Sequence, residues 1–189
     1  MSKGAIAGIV VAIVVIFGLS LVGMYNGMVA DRNQATKTWA DVEAAYQRRL
    51  DVIPKFVETA KFSVKFQQDL AIEYAKAREG VATAAQAKNP TNLQEAANQS
   101  LAGLVIKVRQ EAAVEAKTDQ ITELNAQIET IERTINHERV AYNEAARVFN
   151  TRIQTIPGVW FASMWNFKAL ESFKSEPGAE KSPDLNLDK

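Results

Sequence analysis

Residues 39–74 read WADVEAAYQRRLDVIPKFVETAKFSVKFQQDLAIEY. Their apolar side chains recur every three or four residues, with one step missed near Gln67, which predicts one face of a long amphipathic helix. Because Pro54 removes a helical hydrogen bond and crowds the preceding turn, we expect a kink or a short break there. The pattern then resumes in phase, so the helix is predicted to continue to about Ala87. The apolar positions are Trp39, Val42, Tyr46, Leu50, Ile53, Val57, Ala60, Val64 and Ala71.

Composition excludes several classes of function. The 189 residues carry 22 basic and 22 acidic side chains, a balance that argues against a polyanionic partner such as nucleic acid. There is no cysteine, so disulfides and thiolate metal sites are excluded. The one histidine, His137, lies away from the apolar stripe of its helix and is expected to be a solvated side chain. We therefore predict neither a metal site nor a cofactor.

The amino-terminal segment is a predicted membrane anchor. Residues 4–30 are 27 residues without a charge, and about 20 apolar residues in a helix span the roughly 30 Å hydrocarbon layer. A cleaved secretory signal would have a shorter apolar region and a small-x-small cleavage site. We expect an uncleaved anchor over residues 1–24, with residues 5–24 spanning the membrane.

The flanks of the anchor say little about its orientation or its neighbours. Basic residues lie on both sides, so the positive-inside rule does not assign the side of the membrane that the soluble part occupies. Two glycine pairs have the spacing that lets membrane helices approach closely, but glycine is frequent in such helices in any case. The residues concerned are Lys3, Arg32 and Lys37, and the pairs Gly4 with Gly8 and Gly23 with Gly27.

Beyond the anchor, no glycine or proline interrupts residues 28–53, so the membrane helix is predicted to run directly into the soluble one. The clear reversal signal is at residues 88–92, where Pro90 disfavours helix at the preceding residue. Thr91 and Gln94 form a predicted capping box for the next helix. That helix has an apolar face of Leu93, Ala97, Leu101, Leu104, Val108 and Ala112.

Residues 117–156 carry a predicted coiled-coil-like seam, interrupted by Glu138 at one d position. Whether the chain also bends between Glu111 and Asp119 is left open, because that stretch contains no glycine or proline. Pro157 and Gly158 are expected to end the helix. The seam residues are Ile121, Ile128, Ile135, Tyr142, Phe149 and Ile156, with Leu124, Ile131 and Ala145 between them.

The aromatic segment that follows, residues 159–167, has two predicted positions. Without a bend at residues 111–119, the returning arm 91–156 matches the outgoing arm 25–87 in length, and the aromatics would lie at the level of the lipid headgroups. With a bend, they would cap the distal end of a four-helix bundle. We favour the bundle, because a lone hairpin would expose much apolar surface. The membrane-interface candidates are Trp160, Phe161, Met164 and Trp165.

Four asparagines and two arginines are candidates for interactions. Antiparallel arms could pair Asn26 with Asn150 and Asn33 with Asn143, since buried amides need partners; equally, these amides could face water. For Arg48 and Arg49 the alternatives are an anion or headgroup contact and an inter-helix ion pair with a carboxylate such as Glu132, and we favour the ion pair. No phosphate loop, nucleophile elbow or zinc motif occurs, so no catalytic residue is predicted.

The run RRLDVIPKFVETAK at residues 48–61, with Glu132, Arg139, Tyr142–Asn143, Asn150 and Pro157, resembles the LemA family of bacterial membrane proteins. The resemblance covers residues 25 to about 173. It implies a short amino-terminal anchor, a helical bundle and a cytoplasmic-membrane location. Three positions depart from the family pattern. Lys55 stands where the family usually has asparagine after the proline, and Phe149 stands where it has tyrosine before Asn150. The Tyr-Pro turn that is usual between the second and third helices is missing near Ala112–Ala113.

The sequence therefore predicts an all-α protein: a transmembrane helix, then an antiparallel up-and-down four-helix bundle of long helices with a short fourth one. The expected divisions are the anchor 1–24, the bundle 25–173 and a disordered polar tail 174–189. We expect a non-enzymatic scaffold at the bacterial cytoplasmic membrane that self-associates, with the lipid bilayer and an unidentified protein as further partners. The alternative is a regulatory or signal-relay subunit, and a membrane enzyme is a third hypothesis.

Overall fold

The computed structural model describes residues 2–115 and 117–174, apart from the side chain of Thr118. It is 85% helical and contains no strand within that part of the chain, which confirms the predicted all-α class. The tail predicted for residues 174–189 lies, from residue 175 on, outside the described residues. The helices are α1 Lys3–Thr59, α2 Val64–Gln86, α3 Pro90–Val114, α4 Ile121–Gln154 and α5 Gly158–Ala162, with a 3-10 turn at Thr118–Gln120 before α4.

Helix α1 contains the predicted anchor. By length and composition, it is the one helix of the described residues that could cross a membrane, and none of its most apolar stretch is buried. The helix continues past Tyr25 without interruption, as predicted, and it also passes Pro54 without a break.

The prediction that this helix reaches Ala87 is wrong, because α1 ends at Thr59. The Phe62 N–H donates to the Val57 carbonyl at 3.2 Å, and the Lys61 N–H donates to the Glu58 carbonyl at 3.0 Å. This pair of bonds is a Schellman motif, which satisfies the last carbonyls of a helix and turns the chain away. Ser63, two residues after Lys61, caps α2: its Oγ accepts a hydrogen bond from the Phe66 N–H at 3.3 Å.

The residue in the left-handed position of this motif explains the error. Glycine usually occupies it, but here Lys61 does, with φ 53°. The turn is stabilised by burial of Phe62, whose ring lies 5.4 Å from Phe66. Because a new helix begins at Val64, that side chain is 70% exposed instead of continuing the α1 stripe. In the sequence, the missing apolar residue near Gln67 was the one sign that the helix of residues 39–59 does not continue.

The other two connections were predicted more closely. The chain reverses at Lys88, as expected, but the cap of α3 is Asn89, whose Oδ1 accepts from the Asn92 N–H at 3.0 Å, in place of the Thr91–Gln94 box. The open question at residues 111–119 is resolved in favour of a bend. Helix α3 ends at Val114, and the Lys117 N–H donates back to the Ala112 carbonyl at 2.7 Å.

The described residues divide into two compact units, of which the larger contains residues 43–115, 117–135 and 171–174. Within it, contacts between consecutive helices pair residues late in one helix with residues early in the next, or the reverse, as expected of antiparallel neighbours. Four helical segments, from α1, α2, α3 and α4, therefore follow one another in up-and-down order. The joining pairs are Asp51 with Tyr74, Gln47 with Arg78, Glu73 with Lys107, and Arg109 with Asn125.

The interior of this unit is formed by the predicted apolar faces. The α1 stripe is buried from Tyr46 to Val57, and every predicted apolar residue of α3 is buried. Burial of such side chains supplies the main stabilisation of a helical unit, at about 25 cal/mol per Å² of apolar surface. The largest buried side chains include Tyr46, Leu50, Ile53, Val57, Val81, Leu93, Val108 and Leu124.

The other unit contains residues 2–42 and 136–170. Here α1 and α4 lie antiparallel: Asp31 bonds to Arg152, and the Trp39 and Tyr142 rings are 5.2 Å apart. The predicted seam of α4 is buried at Tyr142 and Phe149. It fails at its last position, because α4 ends at Gln154 and Ile156 is 71% exposed.

The left-handed Lys61 provides a test of the α1–α2 turn. A left-handed conformation costs an L-residue roughly 1–2 kcal/mol, which glycine avoids. We expect Lys61→Gly to raise the free energy of unfolding by about 1 kcal/mol, measured by urea denaturation in detergent and followed by circular dichroism.

The control for that test is Lys55→Gly, at an exposed position inside α1, six residues before the turn. There glycine should lower the free energy of unfolding by about 1 kcal/mol, because it weakens a helix interior. Destabilisation by both substitutions would show that Lys61 is not held in a left-handed turn.

Candidate functional site

An aromatic cluster lies beside α1 just after the predicted membrane span. Trp165 packs edge-on against Tyr25, with ring centroids 5.2 Å apart, and Phe167 lies 5.9 Å from the same ring. Phe167 also contacts Phe149 of α4 at 5.9 Å, and Phe161 stacks on Trp165 at 5.4 Å. The cluster therefore joins the chain that follows α4 to the first turn of α1 beyond residue 24.

Close packing and local capping hold this segment. A Cβ on Gly158 would lie 2.1 Å from the Arg152 carbonyl oxygen and 3.0 Å from Met28 Cε, so only glycine fits. After α5 the chain turns through Asn166, with φ 56°, and the Phe167 N–H donates to the Ala162 carbonyl at 2.9 Å. This is the geometry of the Lys61 turn again, with a buried phenylalanine after the left-handed residue.

An apolar surface is exposed on the same segment. We call it the α5 patch and define it as Ile156, Val159, Trp160 and Met164, which are 71%, 44%, 67% and 67% exposed. Since its neighbours Trp165 and Phe167 pack against Tyr25, the favoured prediction that the aromatics cap the distal end of the bundle is wrong. The prediction counted two chain reversals, near Asn89 and at residues 111–119, which would direct the last long helix away from the membrane. The additional reversal after Thr59 makes three, so α4 runs back toward the start of α1.

The asparagine pairing is wrong for Asn26 and Asn150. Asn26 and Asn33 are exposed, as the alternative expected. The Asn150 amide instead donates to the Leu170 carbonyl and accepts from the Leu170 N–H, both at 2.8 Å. Asn150 thus anchors the segment after the aromatic cluster to α4. Asn143 is half-buried and has interactions of its own.

Arg152 covers one of the glycines of the anchor region. Its guanidinium bonds to Asp31, and a Cβ added to Gly27 would lie 2.8 Å from its Nη1. At Gly4, Gly8 and Gly23, in contrast, an added Cβ would meet nothing within 4 Å. The absence of a side chain at Gly27 makes room for Arg152, and the other three glycines are open.

A shallow groove of about 220 Å³ lies between α1 and α4 in the unit that contains the cluster. It is lined by the apolar side chains Ala141, Ala145 and Val148 and by the polar side chains Asp31, Gln34 and Glu144. Glu144 is paired with Arg147 at 2.6 Å, and this hydrogen bond lowers the pKa of its carboxyl below the usual value. The groove could accept an apolar side chain from another helix.

In the larger unit, Arg49 connects three helices. Its Nη1 donates to Asn98 Oδ1 of α3 at 2.9 Å, and its Nη2 donates to Glu132 Oε1 of α4 at 2.6 Å. This is the inter-helix ion pair that the sequence favoured over an anion contact. Its neighbour Arg48 is exposed, so the two adjacent arginines occupy different environments.

Two other predicted residues belong to the interior. Arg139 is buried, with 9% of its surface exposed, and has interaction partners. Pro54 is half-buried in α1. Neither residue lines the groove between α1 and α4.

A polar cluster that the sequence did not predict joins two turns of the larger unit. Glu115 accepts from the Ser63 N–H at 2.9 Å and pairs with Lys117 at 2.9 Å, while Lys117 Nζ also bonds to the Lys61 carbonyl. The Lys117 hydrogen bond, and then the Ser63 N–H, lower the pKa of Glu115. The same ammonium lies 4.6 Å from the centre of the Phe62 ring. No sequence motif indicates this cluster, because its members lie in two turns that are more than 50 residues apart in the chain.

A second cluster joins α1 to α2. The Tyr74 hydroxyl donates to Asp51, and Arg78 Nε donates to Gln47 Oε1 at 2.9 Å. Burial raises the pKa of Tyr74, and the hydrogen bond to Asp51 raises it further.

The remaining polar candidates from the sequence lie on the exposed face of α4. His137 is exposed, and Glu129 pairs with Arg133 along the exposed face of α4 at 2.7 Å. Within the described residues, no group of three or more histidine, aspartate or glutamate side chains is arranged to hold a metal ion.

Arg49 and its exposed neighbour Arg48 form a matched pair for mutation. We expect Arg49→Ala to lower the free energy of unfolding by about 2 kcal/mol, because it removes two charge-assisted contacts from a half-buried site. Arg48→Ala should change it by less than about 0.5 kcal/mol.

Glu132 is 47% exposed, so solvent screens the ion pair and Glu132→Gln should cost less than about 1 kcal/mol. Urea denaturation of the three variants measures these differences. Equal losses for Arg48→Ala and Arg49→Ala would contradict the inter-helix role of Arg49.

The raised pKa of Tyr74 predicts an alkaline loss of stability. In the unfolded chain a tyrosine loses its proton near pH 10, and in the folded protein Tyr74 holds it to higher pH. The stabilisation is complete below about pH 10 and is lost as the pH rises through the native pKa.

Tyr74→Phe should therefore show a smaller drop in the urea midpoint between pH 8 and pH 11 than the unaltered protein. Asp51→Asn should reduce the drop in part. Identical pH dependence in all three proteins would contradict the assignment.

Comparisons with known proteins give one positive result. No curated protein and no solved structure matches the chain. A model of the LemA family, however, matches residues 38–187, which include the RRLDVIP motif, Arg49 and the aromatic segment. Because this match covers well over half of the residues, the chain belongs to the LemA family.

Proposed function

We propose that this protein is a non-enzymatic scaffold that is anchored by a single helix in the bacterial cytoplasmic membrane. It assembles with copies of itself, and its other partner is the lipid bilayer. The observation that carries the proposal is helix α1, which is apolar and exposed at its start and buried by helix packing further along. One continuous helix thus belongs to two environments.

The exposed part of α1 supports the membrane anchor. Side chains such as Ile16 and Leu19 are 65% and 68% exposed, and similar exposure extends from Ile6 to Val22. Contiguous apolar surface of this extent is unfavourable in water and marks contact with lipid or protein. The length of the run matches the hydrocarbon thickness, which favours lipid.

The use of polar side chains supports a structural role over catalysis. Arg49 joins three helices, Glu115 joins two turns, and Tyr74 joins α1 to α2. In each case the hydrogen-bonding groups are committed to holding helices together. A catalytic group, in contrast, has to meet a substrate in a pocket.

Self-association is supported by surfaces left open in the unit that contains the anchor. The groove lined by Ala141, Ala145 and Val148 has room for a side chain of another helix. Gly4 and Gly8 leave room for close approach of a second membrane helix.

The alternative function is a regulatory or signal-relay subunit of another membrane protein. The uninterrupted course of α1 favours it as well, because a continuous helix can transmit a rotation or shift where a flexible linker cannot. The two functions differ in the partner: a scaffold assembles alone, whereas a relay requires a different protein at fixed stoichiometry.

Mass measurement of the full chain, expressed and purified in mild detergent, tests this proposal. We expect a particle that contains no other chain and whose protein mass is two or more times 20.8 kDa. A monomer would overturn the scaffold, and a monomer bound to one other membrane protein would establish the relay. Release from membranes by alkaline carbonate alone would contradict the anchor.

A further inference from the structure

We propose that the α5 patch is a second membrane contact, which inserts Ile156, Val159, Trp160 and Met164 into the headgroup region of the bilayer that holds the anchor. This inference rests on the proposed anchoring of α1. It adds a specific lipid-binding surface, separate from the span, in the part of the chain that returns from α4.

The height of the patch follows from its contacts with α1. Trp165 packs on Tyr25, and Gly158 lies against Met28. Met28 is four residues beyond the predicted end of the span, about 6 Å along the helix axis. The headgroup region on each side of the hydrocarbon is about 5–7 Å thick. The segment that carries the patch therefore lies at the depth of the headgroups.

The chemistry of the patch suits that depth. Residues 156–167 contain no acidic side chain, and they are followed by the exposed Lys168. An exposed tryptophan at the interface places its apolar ring among acyl chains and keeps its N–H hydrated. A lysine at this level, such as Lys168 at the end of the segment, can contact phosphate. A bilayer interface thus accommodates each of these side chains.

The division of the segment into two faces argues for lipid as the occupant. Ala162 and Phe167 are buried against α1 and α4, together with Met28, Phe149 and Ile153. The patch side chains are exposed on the same short segment. The exposed apolar run of α1 ends at Val22, and Tyr25, which Trp165 contacts, is still 42% exposed. Lipid around the span therefore reaches the level of the segment that carries the patch. The same lipid phase can therefore cover both.

Tryptophan quenching by brominated lipid tests the proposal on the full chain. In Trp39→Phe/Trp165→Phe, the remaining indole is Trp160. This variant is reconstituted into vesicles of phosphatidylcholine and phosphatidylglycerol, with increasing amounts of a phosphatidylcholine brominated near the top of its acyl chains. We expect Trp160 to lose most of its emission and to emit further to the blue than in the urea-unfolded protein.

The matched control moves the indole to an equally exposed site on α4. Val140 is 67% exposed, as is Trp160, and lies 14 residues before the end of α4 at Gln154, about 21 Å along the helix. Val140→Trp, in a chain with Trp39, Trp160 and Trp165 replaced by phenylalanine, should keep its emission. Quenching of both indoles would show that the measurement does not report depth, and the assignment of Trp160 to the interface would fail.

Vesicle flotation separates this inference from the anchor itself. Both variants retain α1, so both should float with the vesicles. If they do not float, the proposed anchoring fails and the inference fails with it. If they float and Trp160 is unquenched, the anchoring stands and the second contact is overturned; blue-shifted, unquenched emission would mean that protein covers the patch.

Discussion

The change of environment along α1 is the constraint on which the other features depend. Val22 is 57% exposed, whereas Met28 is fully buried, and these residues are about 9 Å apart along the helix. A helix that passes from an exposed apolar surface to a packed interior over this distance needs partners at the boundary. Those partners are Phe149, Ile153, Ala162 and Phe167, which come from α4 and from the segment that follows it.

The number of chain reversals determines which residues meet at that boundary. The turns after Thr59, Gln86 and Val114 make α4 antiparallel to α1, so the aromatic segment arrives beside Tyr25. The turn after Thr59 depends on Lys61 in the left-handed conformation and on burial of Phe62. Glu115 and Lys117 then join this turn to the end of α3. Local capping and one tertiary cluster thus decide the direction in which α4 runs.

Polar residues in this protein connect helices that are distant in sequence. Arg49 contacts Asn98 and Glu132, and Asn150 holds the backbone of Leu170. Contacts of this kind contribute modest free energy, but they specify register, because each buried hydrogen-bonding group accepts few geometries. The motif residues of the LemA family at Arg49, Glu132 and Asn150 therefore have structural explanations in this chain.

By itself, the sequence determined the helical class, the apolar span, the buried stripe from Trp39 to Val57 and the apolar face of α3, since these depend on periodicity and length within one element. It also indicated the Arg49–Glu132 pair, because an arginine beside an apolar stripe requires a carboxylate. Only the tertiary structure decided the turn at Lys61, the partner of Asn150 and the position of the aromatic segment. The turn uses a lysine where glycine is usual, so its local signal is weak, and it is stabilised by Phe62 burial and the Glu115–Lys117 cluster. Burial and contacts between distant residues are properties of the folded chain, and periodicity within one helix does not contain them.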